Sequence, residues 1–324
     1  MSDIVVHPHS NFLTVYGGEV LLAYNETSQL KDRLMNRTIA SGKSASFPTY
    51  AVETAKMHTP GEDILNNPTG ANASTATSGE KTIVVDKLIY AAQLVDDLDE
   101  MKAHYDIRGS LASQSGSALA IQHDAFLLAS MLNDEWDSTT TMTRTFAGAF
   151  SATAQFATDA ELQAMVEAAA LRMDLNAVPT NDRILVLRPY EFYQLLNLDA
   201  ALSSDFNTTG DRSKGIQSFH YLGFEVISMK TLADYSGKNA AAMKAAAGLL
   251  DFGGVDPTTD HSFNGSLLTA CAFQKSAAGT LTLKGVTAEA NYIPERNATL
   301  LNTKMAIGCG ALRPEGIVKI LADN

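Results

Sequence analysis

Cysteine is nearly absent from this chain: Cys271 and Cys309 are the only two among 324 residues, and they form no CxxC pair. That excludes a disulfide framework and a thiolate metal cluster, and it suits a reducing compartment. Tryptophan occurs once, at Trp136, and the aromatics lack the basic interleaving of a surface that stacks nucleobases. Positive charge is short as well. Twenty-four basic against 36 acidic residues leave a net charge of -12, which excludes affinity of the whole chain for nucleic acid through counterion release. No apolar run approaches membrane-spanning length, so no membrane partner is expected. The N-terminal MSDIVVHPHSNF has no basic region followed by an apolar run, so no secretory signal is expected.

Catalytic signatures are missing too: there is no Walker A loop, dinucleotide fingerprint, GxSxG elbow or HExxH helix. The seven histidines (His7, His9, His58, His104, His123, His220 and His261) are dispersed. Glu100 and His104 fall on one helical face, but no third or fourth ligand stands at suitable spacing, so no metal site and no cofactor are expected. The chain is therefore expected not to be an enzyme.

What is present is a long periodic stretch from Leu94 to Met131. Asp96, Asp97, Asp99 and Glu100 suit a helix N-terminus. Leu98, Met101 and Tyr105 lie on one face, and Leu119, Phe126, Leu127 and Met131 continue an apolar run. The pattern predicts a spine helix of about 35 residues, roughly 50 Å long at about 1.5 Å per residue. Before it, a short helix is expected over 19–29, with Gly17-Gly18 interrupting the apolar stripe upstream. Ser44–Met57 and Lys81–Tyr90 read as two strands around a polar tip at 66–79, a hairpin that buries too little to serve a lone subunit.

After the spine, Thr158 and Glu161 form a capping box for a helix carrying Leu162, Val166, Ala169 and Met173. The run 182–187 is apolar enough for a strand buried on both faces, and Pro189 opens another helix. Strands are expected at 219–229 and 267–273, which makes 158–273 an α/β unit inserted between the spine and the tail strands. The tail predicts strands at 279–292, 299–307 and 317–321.

Taken together, these segments resemble the major capsid proteins of short-tailed, T7-type bacteriophages. The resemblance rests on VYGGEVLLAYNETS at 15–28, ASGKSASFPTY at 40–50, HTPGEDI at 58–64, LDEMKAHYDIR at 98–108, DRILVLRPYEFYQLL at 182–196, GFEV at 223–226 and MAIGCGALRPEGIV at 305–318. It implies an α+β chain of the Hong Kong 97-type (HK97-like) capsid fold. The divisions would be an N-terminal arm with a short helix at 1–43, an extended loop at 44–90, a peripheral domain at 91–176 and 276–324, and an axial domain at 177–275. It further implies a homo-oligomer of pentamers and hexamers forming an icosahedral shell of triangulation number seven. A scaffolding protein and a portal protein would be partners, and packaged DNA would be enclosed without specific binding. The location implied is the virion, assembled in the host bacterial cytoplasm.

Contacts between subunits are expected at Arg33, Arg37, Lys43, Lys56, Glu62 and Asp63, because the arm and hairpin carry these charges where copies would overlap. Two other readings remain: an encapsulin-like compartment shell, or an intracellular enzyme with its site in 158–273 around Arg188 or Asp211.

Overall fold

The computed structural model describes residues 8–50, 78–85, 88–96, 107–132, 149–153, 159–197, 218–230 and 268–323, with single residues at 57, 60, 98 and 102. Two mixed sheets carry the fold. The first has the order β1-β10-β11-β4: β1 (Met35–Thr38), β10 (Ala278–Ile293), β11 (Ala298–Ala311) and β4 (Leu88–Asp96). The second has the order β5-β12-β9-β6-β8-β7: β5 (Ala149–Thr153), β12 (Ile317–Asp323), β9 (Leu268–Gln274), β6 (Arg183–Leu187), β8 (Phe224–Ser228) and β7 (Ser218–Tyr221). A third sheet is the hairpin of β2 (Ser44–Tyr50) with β3 (Ser78–Val84).

The first sheet is covered on one side by α1 (Pro8–Thr27) and by the spine helix α2 (Ile107–Leu132). Inward residues alternate along the strands, as the pleat requires: Leu301, Thr303 and Met305 are buried, while Asn302 and Lys304 are not. One face of the second sheet packs on the C-terminal half of α2 through Ile184, Val186, Cys271 and Phe273. Its other face packs under α3 (Asp159–Leu175) and α4 (Pro189–Asn197) through Leu185, Leu187, Val226 and Ala272. β6 is accordingly buried at every position, as its unbroken apolar run predicts.

Several elements differ from the sequence reading, each for a local reason. The spine does not begin at Leu94: Leu94–Asp96 pair in register with Ala298–Leu300, so strand β4 runs to Asp96. There the Asp96 carboxylate accepts the Leu98 N–H at 2.8 Å, which turns the chain out of the strand. Leu98 and Lys102 are helical, while Asp97, Asp99, Glu100 and Tyr105 lie outside the described residues. The helix α1 is not short. It runs 20 residues straight through Gly17 and Gly18, because packing along α2 overrides weak propensity.

The predicted strand 81–90 is two strands in different sheets, β3 and β4. Ser78 and Gly79, expected in the polar tip, pair with Tyr50 and Thr49. The rest of that tip, together with Thr158 and Trp136, lies outside the described residues. The predicted strand 219–229 is also two, because Leu222 (φ 47°) and Gly223 (φ 81°) make a tight turn of the kind hairpins favour. Finally, strands sort across the sequence divisions: β5 and β12 both lie in the second sheet, where β12 is hydrogen-bonded between β5 and β9.

Candidate assembly surface

The seam between α1 and α2 holds, among its apolar contacts, a buried polar group on Tyr24, His123 and Asp124. The Tyr24 hydroxyl lies 2.6 Å from His123 Nδ1. Asp124 accepts from Ser28 Oγ at 2.9 Å, from the Gln29 N–H at 2.7 Å and from the Leu30 N–H at 3.3 Å, so the spine grips the turn that follows α1. Burial pushes the His123 pKa down to about 4, with Lys31 adding to the effect. Burial pushes Asp124 up to about 6, against its three hydrogen bonds and the pull of Arg33. Tyr24 is pushed up by the same burial. This group serves the subunit's interior and faces no solvent.

The opposite face of the first sheet is different. Leu88, Tyr90 and Leu94 alternate along β4 and are 48 %, 69 % and 45 % exposed, while Val95 between them and the helices is buried. Their partners on β11 are Ala306, Lys304 and Leu300, and Lys304 turns away to bond Glu289 at 2.6 Å. β4 is the sheet's edge, hydrogen-bonded only to β11 among the described residues. An apolar stripe beside an open strand edge is a site for pairing with another chain. At the far end of this sheet the root of the β2–β3 hairpin packs closely: a Cβ on Gly308 would meet the Val84 carbonyl oxygen at 2.5 Å, and Ile83 is buried against Leu281.

Of the six charges expected between subunits, Arg33 is engaged within its own chain. Its guanidinium bonds the Glu225 carboxylate, through a short Nη2–Oε1 contact and an Nε–Oε2 contact of 3.4 Å. Arg37 is also turned inward to its own chain: it donates to the Ser46 carbonyl at 2.7 Å and lies over the Phe47 ring at 5.6 Å. Lys43 holds β3 through its backbone, its carbonyl accepting the Val85 N–H at 2.8 Å, and its side chain is exposed. Lys56, Glu62 and Asp63 lie outside the described residues, as does Asp211. Arg188 is bonded to Glu191 one helical turn on. Among the described residues no group of three metal-ligating side chains comes together. The Leu88–Tyr90–Leu94 stripe escaped the sequence reading because that reading ended the strand at Tyr90.

A family model described as Gp10A-like major capsid protein matches residues 46–321. The chain belongs to that family of major capsid proteins. It is 29% identical over 319 residues to the major capsid protein of Escherichia phage T7, covering 94% of this chain and 89% of that one. Its fold is similar to the capsid structure of the cyanophage P-SCSP1u, with TM-score 0.68, 24% identity, and coverage of 92% and 88% of the two chains. It is also similar in fold to a virus-like particle from Pyrococcus furiosus, with TM-score 0.59, 12% identity, and coverage of 95% and 99%.

Proposed function

We propose that this capsid protein builds its shell as pentamers and hexamers, forming an icosahedron of triangulation number seven around double-stranded phage DNA. Assembly would take place in the bacterial host cytoplasm, on a scaffolding protein and around a portal. The reading divides the chain into an N-terminal arm, an extended loop rooted in β2–β3, a peripheral domain on the first sheet and spine, and an axial domain on the second sheet. The axial domain takes in β5, α3 and β12 beyond the limits 177–275. The chain does no catalysis and carries no cofactor. The charge of -12 lets packaged DNA slide along the wall without adhering to it. An encapsulin-like compartment is the less favoured reading, because the likeness in sequence is to phage capsid proteins.

The observation that carries this reading is the Leu88–Tyr90–Leu94 stripe on what is, among the described residues, an edge strand. Covering a large apolar side chain that is already half-buried stabilises a contact by about 1–2 kcal/mol, and a shell repeats the contact at every subunit. The double variant Tyr90→Ser/Leu94→Lys is expected to keep the subunit's circular dichroism and unfolding midpoint while abolishing closed particles in negative-stain microscopy. Particles of wild-type size and yield from that variant would remove the stripe from the interface.

A further inference from the structure

The two sheets are joined by covalent crossings that lie side by side. β9 continues into β10 through 275–277, and β11 into β12 through 312–316. The two crossings are stitched together: the N–H groups of Leu312 and Arg313 both donate to the Ala277 carbonyl, at 2.7 and 3.0 Å. A Cβ on Gly316 would stand 2.8 Å from Ala277 Cβ, so there is no slack between them. Two crossings this close act as one pivot. The spine α2 and the core it shares with both sheets restrict the angle about that pivot.

The segment after α1 supplies a third tie. It starts at Ser28–Leu30 in the grip of Asp124 on the spine. Leu30 and Leu34 are buried among Leu127, Leu128 and Met131 of α2 and Ile227 and Met229 from the second sheet. Between those two leucines Arg33 bonds Glu225 of β8, and its Nη1 also donates to the Gln29 carbonyl. Met35–Thr38 then join the first sheet as β1, parallel to Gly279–Thr282. β8 lies two strands away from β9, roughly 10 Å from the pivot at about 4.8 Å per strand. A tie at that distance has leverage on the angle about the pivot, beside the packing of α2 on both sheets.

We propose that residues 28–38 are a brace that, with the packing of α2, fixes the angle between the two sheets, and that the Arg33–Glu225 ion pair is its releasable end. The apolar anchors Leu30 and Leu34 keep the segment in place. The ion pair, with side chains 27% and 28% exposed, is open to competing ions while they are not. The arginine also holds the Glu225 carboxyl below its usual range. The brace is a property of one chain and stands or falls separately from the shell-forming role.

The test uses the full chain spin-labelled at Tyr190→Cys on α4 and Arg296→Cys at the β10–β11 turn, both exposed positions, diluted into unlabelled protein. The native Cys271 and Cys309 are buried and take no label. Pulsed electron resonance is expected to give one narrow inter-sheet distance for the otherwise unaltered chain. Arg33→Gln and Glu225→Gln should each broaden it, the charge exchange Arg33→Glu/Glu225→Arg should restore it, and high salt should broaden only the unexchanged and exchanged pairs. Amide exchange in β8 should rise about two- to five-fold in the single variants, the range an exposed ion pair supports. Unchanged distances and exchange in both single variants would overturn the proposal. So would failure of the charge exchange to restore them. Loss of folding in both single variants would make the pair part of the core and overturn it equally.

Discussion

Gly116 is where the docking of α1 on the spine is most exposed to perturbation. A Cβ there would stand 2.4 Å from the Val20 carbonyl oxygen, 2.9 Å from Ala23 Cβ and 3.1 Å from the Tyr24 nitrogen. Two of those three are backbone atoms of α1, which no rotamer change can move. Restoring ordinary contact with the oxygen requires the helices to part by close to 1 Å, and a gap of about that size forfeits a quarter to a half of the dispersion energy across the seam. The seam holds Tyr16, Val20, Ala23 and Tyr24 against Ala112, Leu119 and Ala120, all buried. Overpacking of this kind costs about 1–3 kcal/mol, against a helix-propensity gain of about 1 kcal/mol for alanine over glycine. Gly116→Ala is therefore expected to destabilise the subunit by about 1–2 kcal/mol, read from the urea midpoint of unassembled protein. Gly18→Ala is the matched control. It is also mid-helix, but nothing lies within 4 Å of its Cβ position, so it should gain about 0.5–1 kcal/mol. A Gly116→Ala subunit as stable as wild type, with Gly18→Ala showing its gain, would refute the reasoning about the seam.

Two further outcomes follow from burial. His123, lowered from 6.5 to about 4, contributes stability above pH 6.5 that is lost as pH falls toward 4; Asp124, raised from 3.8 to about 6, contributes stability below pH 3.8 that is lost as pH rises through 6. The two oppose each other between about pH 4 and 6, so urea midpoints of Asp124→Asn should fall more steeply on acidification than wild type, and those of His123→Phe should rise; parallel profiles for all three would show that these groups do not titrate in the seam. Cys271, with its thiol pushed up to about 12 by burial, and Cys309, pushed higher still, should react with an aromatic disulfide reagent only when the subunit is unfolded in urea; prompt labelling of the native subunit would place one of them at the surface.

What could be read from the sequence were features carried by neighbouring residues. The buried run 183–187, the apolar period of α3 and the C-terminal half of the spine are local patterns, and the structure has them where the patterns put them. The failures each needed information from a distant part of the chain. Gly17-Gly18 looked like a break because propensity is local, while the packing that holds α1 helical comes from α2 some ninety residues on. The acidic cluster suited a helix start, yet Leu94–Asp96 were already committed to β11, more than two hundred residues away. Arg33 was expected to meet another subunit because of its place in the arm, while its own-chain partner Glu225 is 192 positions away. The apolar stripe on β4 was missed because Leu94 had been given to the helix, and only the sheet order shows that β4 is the edge strand among the described residues.

The position of β12 has a consequence for synthesis on the ribosome. Its residues, 317–323, sit between β5 and β9, strands translated much earlier, and they pair with both. The second sheet therefore cannot close as the chain emerges. Until residue 323 has left the exit tunnel, β5 and β9 each keep an unpaired edge, and the chain waits with a slot that only its own late segment fits. Late, non-local pairing of this kind leaves strand edges exposed until synthesis is nearly finished. It also means that a message truncated before codon 317 yields a polypeptide lacking the strand that joins β5 to β9.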